Sequence, residues 1–300
     1  MPSIVGAIPP PPGITPDFVN PPSIQHVVLI VNSILPLVSL LFVALRLYTT
    51  GFILRSVGVD DYMIALAWVS SQSFCICITR YGLGHHLWDV PFSTFNPNFL
   101  KFAVICLVFY GISIMLAKVS ILVLFLRYLP QRYKRAIHAI IASVVMYSLI
   151  SSFHWVFDCQ PLEKFWDLNI SRGSCIDWSK FHIFSGVMNT TTDIIILLLP
   201  IFMLRKVQLY KWERVGLILA MMTGGFVLII SIIRLKTTVD MAPNRDITWE
   251  YVHNGIWWMI EMHIAIVCAC LPVGRAFLRK HFPYLVGYTF DTSGHGVQNS

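Results

Sequence analysis

Seven long stretches of mainly apolar residues recur along the chain, at approximately 26–47, 61–81, 99–126, 136–157, 181–204, 215–238 and 251–274, with short polar segments between them. A helix needs about 20 apolar residues to cross roughly 30 Å of hydrocarbon, and these stretches meet or exceed that length. They are longer than a buried strand or a soluble core helix normally requires. His138 and His154 in the fourth stretch, and Lys101 and Lys118 in the third, interrupt the pattern without shortening it below a span. The pattern predicts an all-α membrane protein, a seven-transmembrane helix bundle over 26–274. Ahead of it, Pro9 to Pro12, Pro16, Pro21 and Pro22 lie in a segment without Lys or Arg. Residues 1–25 are therefore read as a disordered Pro-rich extracellular tail and not as a signal peptide. Residues 275–300 are read as a short cytoplasmic tail.

Composition sharpens this picture. Hydrophobic residues make up 56% of the chain and charged residues only 12%, against about 25% charged in ordinary soluble domains; such an apolar excess calls for lipid as solvent. The net charge of +7 falls between the apolar blocks and forms no single patch with interleaved aromatics, which argues against nucleic acid as a partner. Of the seven cysteines, Cys75, Cys77, Cys106, Cys268 and Cys270 sit inside apolar stretches, where cysteine behaves as a small hydrophobe. Only Cys159 and Cys175 lie in a polar segment.

The distribution of basic residues gives an orientation. With the N-terminus outside, the inner segments carry 13 Lys and Arg residues and the outer segments 7, as the positive-inside rule favours. The inner set includes Arg46, Arg55, Arg127, Arg132, Lys134, Arg135, Arg205, Lys206, Lys211 and Arg214. In the same orientation the acceptor sequence Asn169-Ile170-Ser171 and the flanking Cys159 and Cys175 face an oxidising compartment. A bridge between those cysteines closes a loop worth about 3 kcal/mol in the chain-entropy model. A second acceptor sequence, Asn189-Thr190-Thr191, falls within the fifth stretch and is out of reach of a transferase.

An ionised side chain at the middle of a spanning helix costs about 2.5 to 3.5 kcal/mol on insertion scales, so each one calls for a partner or a role. From a rise of 1.5 Å per residue, Lys118, Asp193 and Glu261 all lie near the midplane. If their helices face one interior, these groups form a buried triad, or one carboxylate is held protonated. Three readings stay open: a cluster that fixes helix packing, a charge switch whose pairing differs between two bundle states, and a proton or ion path. Asn189 and Asp193 share a helix face four residues apart. Arg234, near the outer end of span six, is expected to snorkel toward water, with Asp240 or Glu250 as partner. Asp60 and Asp61 are read as helix-cap acids at the start of span two, with pairing to Arg46 or Arg55 as an addition. Trp155, Trp166, Trp178, Trp249, Trp257 and Trp258 are expected to form an interfacial belt. No phosphate-binding loop, dinucleotide fingerprint or hydrolase motif is found, and no metal site is expected.

Taken together these residues resemble the fungal rhodopsin-like integral membrane domain of fungal-specific G-protein-coupled-receptor-like proteins, over approximately residues 40 to 275. The resemblance is carried by Arg46; by Gly58-Val59-Asp60-Asp61; by Tyr110 with Lys118-Val119-Ser120-Ile121-Leu122 through Arg127; by Cys159-Gln160-Pro161 with Trp166 and Cys175; by Asn189 with Asp193 and Leu199-Pro200; by Gly225 with Arg234-Leu235; and by Glu261 with Cys268-Ala269-Cys270-Leu271-Pro272.

The resemblance implies a receptor for an unknown extracellular ligand, in the plasma membrane, coupled to a heterotrimeric G protein. Arg127, Arg132, Lys134, Arg135, Arg205, Lys206, Lys211 and Arg214 would then face the G protein, although ordinary positive-inside charge is the simpler account of them. The chain departs from some relatives in having no cysteine-rich module ahead of span one and only 28 residues after Pro272. Residues 251–274 hold no lysine for a retinal Schiff base, so no retinal and no other cofactor is expected. Past Pro272, Arg275, Phe277, Leu278, Arg279, Lys280 and Phe282 would make a short amphipathic surface helix. The rival reading is a membrane-embedded enzyme or small-solute transporter that uses Asp193 and Glu261 as acid, base or proton carriers; a structural membrane partner without a ligand is the third.

Overall fold

The computed structural model describes residues 6–78, 84–128, 131–176, 178–204, 211–242 and 246–281. Seven long helices occur among them: α1 Gln25–Tyr48, α2 Val59–Ile78, α3 Leu100–Tyr128, α4 Gln131–Phe153, α5 Trp178–Leu204, α6 Lys211–Met241 and α7 Ile247–His281. Six of them, all but α2, are long and apolar enough to cross a membrane. Asp60 and Asp61 open α2, and Ser70, Ser71, Gln72 and Ser73 occupy its second half.

Neighbours in sequence are neighbours in space, and α7 also packs against α1, closing the ring. α3 and α7 meet across the middle, and α2 touches both. α7 is the central element: 61% of its most apolar window is buried, against 22–28% in the other five spanning candidates. Its buried side includes Val252, Met259, Met262, Ile266 and Ala269, which join Ile64, Phe74 and Ile114 in the main core. By contrast, Ile30, Ile34, Leu37 and Leu41 of α1 are exposed and recur at three- and four-residue spacing, an outward apolar stripe suited to acyl chains. Small residues set some of the closest approaches, as membrane bundles require. A Cβ at Gly111 of α3 would run into Ser152 Oγ of α4.

One end of the bundle carries a folded cap. Cys159 and Cys175 are bridged, and they pair β1 (Cys159–Gln160) with β2 (Ser174–Cys175) in an antiparallel ribbon. Asn96 Nδ2 donates to Asp167 Oδ1 at 3.3 Å, and Asn96 Oδ1 accepts from Leu168 N at 3.1 Å. The backbone N–H of Asn169, and then the Asn96 amide, hold the Asp167 carboxyl below the usual carboxylate range. Beside the ribbon, burial pushes Asp158 up despite His154 3.4 Å away. His86 is stacked between Trp88 and Trp249, at centroid distances of 4.4 and 4.0 Å. Its Nδ1 lies 2.6 Å from Asp246 Oδ2, which fastens the loop after α2 to the start of α7.

Three expectations need correction here. The Pro-rich segment is laid on this cap over residues 6–24 instead of hanging free: Ala7 N donates to Val90 O, Ile24 N to Gly84 O, and Asp17 N to Asp89 Oδ1 at 2.9 Å. α7 runs through Pro272 to His281 without a break, so the basic residues after Pro272 extend a spanning helix and form no separate surface helix. Trp258 belongs to the core and not to an interfacial belt, since its exposure is 5% and it stacks on Tyr110. The side chain of Trp178 lies outside what is described.

Replacing both Cys159 and Cys175 by Ser should cost up to about 3 kcal/mol of stability. Thermal unfolding of the purified protein in detergent, without reductant, would show this as a lower midpoint, and an unchanged midpoint would mean that hydrogen bonds alone hold the cap.

Candidate functional site

Two buried networks of charged groups lie inside the bundle, at two levels. The first is at the end opposite the disulfide. Arg46, with an exposure of 1%, donates from Nε to Asp61 Oδ1 at 2.8 Å and from Nη2 to Asp60 Oδ2 at 2.6 Å. Its remaining branch, Nη1, donates to the backbone oxygen of Ala269 in α7. Arg127 Nη2 at the end of α3 is 2.8 Å from Asp60 Oδ1, an ion pair without an aligned hydrogen bond on that oxygen. Asp61 Oδ2 accepts from Gly58 N at 2.9 Å, which is the capping interaction. A Cβ at Gly58 would run into the Arg127 guanidinium, so glycine is needed there for close approach.

Capping therefore accounts for only part of what Asp60 and Asp61 do. They are completely buried and neutralise two arginines drawn from α1 and α3. Two buried carboxylates at successive positions are tolerable only with matched cations, and Arg46 and Arg127 supply them.

The second network sits at mid-bundle and joins α3, α5, α6 and α7. Lys118 Nζ is 2.8 Å from Asp193 Oδ1. It also reaches Asn189 Oδ1 at 2.9 Å, Asn189 O at 3.0 Å and Thr192 Oγ1 at 2.8 Å. Glu261 Oε1 accepts from Asn189 Nδ2 at 2.6 Å, and Glu261 Oε2 accepts from Tyr110 OH at 2.8 Å. Arg234 Nε lies 2.7 Å from Glu261 Oε2, although its N–H is not aligned for a hydrogen bond; the contact is a Coulombic pair. Ser231 Oγ stands between the acids, 2.7 Å from Asp193 Oδ2 and 3.0 Å from Glu261 Oε1.

Lys118, Asp193 and Glu261 thus come together at one level, as their depths predicted. The triad is a tetrad, however. Lys118 pairs directly with Asp193 and reaches Glu261 only through Asn189, and the direct cation for Glu261 is Arg234. Arg234 does not snorkel: its exposure is 5%, and its partner is on α7 at mid-bundle instead of being Asp240 or Glu250. The apolar surroundings make an inward turn toward a carboxylate better than an unpaired charge. Ser231 is the member of this network that the sequence reading does not single out. Ser231, Arg234 and Thr238 recur at three- and four-residue spacing in an apolar helix, and that polar stripe was the available signal.

Of the residues proposed to face a G protein, Arg127 is bound to Asp60, while Arg135 is exposed and Lys134 half-buried. The side chains of Arg132, Lys211 and Arg214 are not described, and Arg205 and Lys206 lie outside the described residues. Asn169, expected to carry a glycan, is exposed on the cap, where its Nδ2 donates to Asp167 Oδ1. Asn189 is buried in the charge network.

Two cavities flank the mid-bundle layer. One, of about 40 Å³, lies toward the disulfide end and is lined by Tyr110, Tyr147, Ser151, His182, Arg234 and Trp258 among others. The other, of about 60 Å³, lies on the opposite side and is mostly apolar; Lys118 and Asp193 line it with Ile121, Phe125, Val227 and Pro272.

Six apolar spanning helices around a buried layer of charge define an integral, multi-pass membrane protein. The match to the fungal rhodopsin domain extends over residues 45–280, and the chain belongs to that family. It is similar to the polyenoic acids biosynthesis gene cluster protein Ba17b of Metarhizium anisopliae, with 25% identity over 86% of this chain and 75% of that protein. A SAT4 family membrane protein of Emericella nidulans is 28% identical over 68% of this chain, and the matched part is only 52% of that protein. The receptor GIN3 of Arthrobotrys oligospora is 21% identical over 94% of this chain and 70% of its own length.

Removing one partner of a buried pair leaves an uncompensated charge, which costs about 3 to 5 kcal/mol, whereas replacing both by apolar groups is often neutral. Lys118→Met alone should therefore destabilise the protein markedly, and Lys118→Met combined with Asp193→Leu should recover most of the loss. Unfolding midpoints of the two variants would check this; additive losses would mean that Lys118 and Asp193 do not neutralise each other.

Proposed function

We propose that this protein is a seven-transmembrane receptor in the plasma membrane, with its N-terminus outside, which senses an extracellular cue and passes the signal to a heterotrimeric G protein. The observation that carries this reading is the mid-bundle network itself. In this reading the charge layer shared by four helices is the bistable element: two basic side chains and two acids permit alternative pairings, and each pairing sets a different arrangement of the helices. A ligand that binds one arrangement better shifts the population toward it.

In this reading α2 is the seventh span, its acids neutralised by Arg46 and Arg127. The disulfide cap and Asn169 face outward, and the ligand enters between α3, α5, α6 and α7. The basic ends of α3, α4, α5 and α6 face the G protein. The only lysine of α7 is Lys280, far from the charge layer, so the switch works without retinal. Similarity to the receptor GIN3 supports sensing as the role. The mostly apolar lining of the cavity beyond Lys118 and Asp193 weighs against the transporter alternative, because an ion path needs polar groups on both sides of the layer.

Reconstituted with candidate G proteins and exposed to extracts that contain the cue, the wild-type protein should accelerate nucleotide exchange, and Lys118→Ala and Glu261→Ala should abolish the acceleration while still reaching the membrane. Acceleration that persists in both variants would sink the switch. Asn169→Gln should raise gel mobility by the mass of one glycan in a eukaryotic host. No change in mobility, with the wild-type protein insensitive to glycosidase, would count against the outward orientation of the cap.

A further inference from the structure

Proton counting at Ser231 gives the starting point. Its hydroxyl has a single hydrogen, yet its oxygen lies 2.7 Å from Asp193 Oδ2 and 3.0 Å from Glu261 Oε1. A hydroxyl can donate to one ionised carboxylate and can accept from a protonated one, but it cannot donate to two. Asn189 does not relieve the conflict. Its Oδ1 accepts from Lys118, which fixes Nδ2 toward the acids, where it lies 2.6 Å from Glu261 Oε1 and a long 3.5 Å from Asp193 Oδ2. With one carboxyl proton added, both contacts of Ser231 become a donor meeting an acceptor. Lys118 and Arg234 then face a single negative charge, and the layer as a whole is a monocation.

The cavity toward the disulfide end presents the complementary need. Arg234 and Trp258 both line it, both are 5% exposed, and Arg234 Nη2 and Trp258 Nε1 are buried nitrogens without a hydrogen-bond partner. Both groups only donate. None of the described residues around the cavity has an unpartnered buried side-chain acceptor to offer them. The hydroxyls of Tyr147, Ser151 and Ser185 are linked to one another on the far wall. A cavity of about 40 Å³ holds on the order of three to four non-hydrogen atoms, at about 10 to 15 Å³ for each water-sized centre.

We propose that this cavity binds a carboxylate group, accepted by Arg234 Nη2 and Trp258 Nε1, and that its negative charge is balanced by one proton held across Ser231 between Asp193 and Glu261. The titratable and charged groups that face this site are Tyr110 from α3, Tyr147 from α4, His182 and Asp193 from α5, Arg234 from α6 and Glu261 from α7, with Lys118 behind them. The proposal rests on the receptor reading only for its biological meaning, as the ligand class of that receptor. The binding chemistry stands without it.

Acetate is the probe and acetamide its neutral isostere, added to the purified full-length chain in detergent. Acetate should raise the thermal midpoint at concentrations where acetamide does not. In weakly buffered solution starting above the protonation range of the layer, binding should take up one proton for each acetate. Trp258→Phe keeps the aromatic packing and removes one donor, so it should weaken acetate about tenfold. Ser231→Ala should reduce the proton uptake. Equal stabilisation by acetate and acetamide, or by neither, overturns the proposal: the cavity then holds only water. Acetate binding at unchanged strength in a folded Trp258→Phe protein overturns the assigned contacts. Acetate binding without any acceleration of nucleotide exchange leaves this site standing and removes the receptor reading. Exchange driven by another cue in a protein that ignores acetate does the reverse.

Discussion

The structure depends on the neutralisation of charge inside a bundle whose other contacts are apolar. Each buried ion would cost several kcal/mol if left alone, and among the described residues eight ionisable groups, all buried except Arg127, are arranged as two basic side chains with two acids at each of two levels. This requirement is directional in a way that apolar packing in lipid is not. Acyl chains are as good a solvent for Leu and Ile as another helix is, so the exposed stripe of α1 specifies no neighbour. Arg46 does: it must find Asp60 and Asp61 on α2 and a carbonyl of α7, and thereby fixes three helices against each other.

The same constraint explains why α7 is the most buried of the spanning candidates. It contributes Glu261 to one level and the Ala269 carbonyl to the other, and it also carries His263, whose Nδ1 is 2.9 Å from Ser39 Oγ of α1. A helix that serves partners on several sides cannot lie at the periphery. The polar start of α2 follows similarly: its acids are the counter-ions for its neighbours.

Much of this was legible in the apolar pattern alone. All seven helices occur where the stretches predicted them, because a run of more than 20 apolar residues has few alternatives to a helix. The common depth of Lys118, Asp193 and Glu261 also followed from helical rise. Partner choice did not. Arg234 and Lys118 are both cations on spanning helices, and nothing in one dimension says which acid each faces; rotation of each helix about its axis decides it. Arg234 looked peripheral because it lies seven residues from Met241 at the end of α6, which is close enough for its long side chain to reach either water or the interior. The run past Pro272 misled for a different reason: an interior proline removes a single hydrogen bond, and a helix packed on several sides can absorb that loss.

The two levels are connected through α3. Lys118 and Arg127 are nine residues apart, which is roughly 14 Å of rise and about two and a half turns, so they project from opposite sides of the helix. One is held by α5 through Asp193, the other by α2 through Asp60. A rigid helix gripped from opposite sides at its middle and at its end cannot tilt or turn about its axis without changing both ion pairs. Any ligand that repositions Lys118 or its partners therefore acts on the Arg127 contact, whose arginine side chain is 38% exposed while its acid is fully buried. Of the two pairs on α3, that one opens at the lower cost in desolvation, because one partner already meets solvent. The mid-bundle layer is thus the part that a ligand in the cavity would touch, and the end of α3 is the part that would yield.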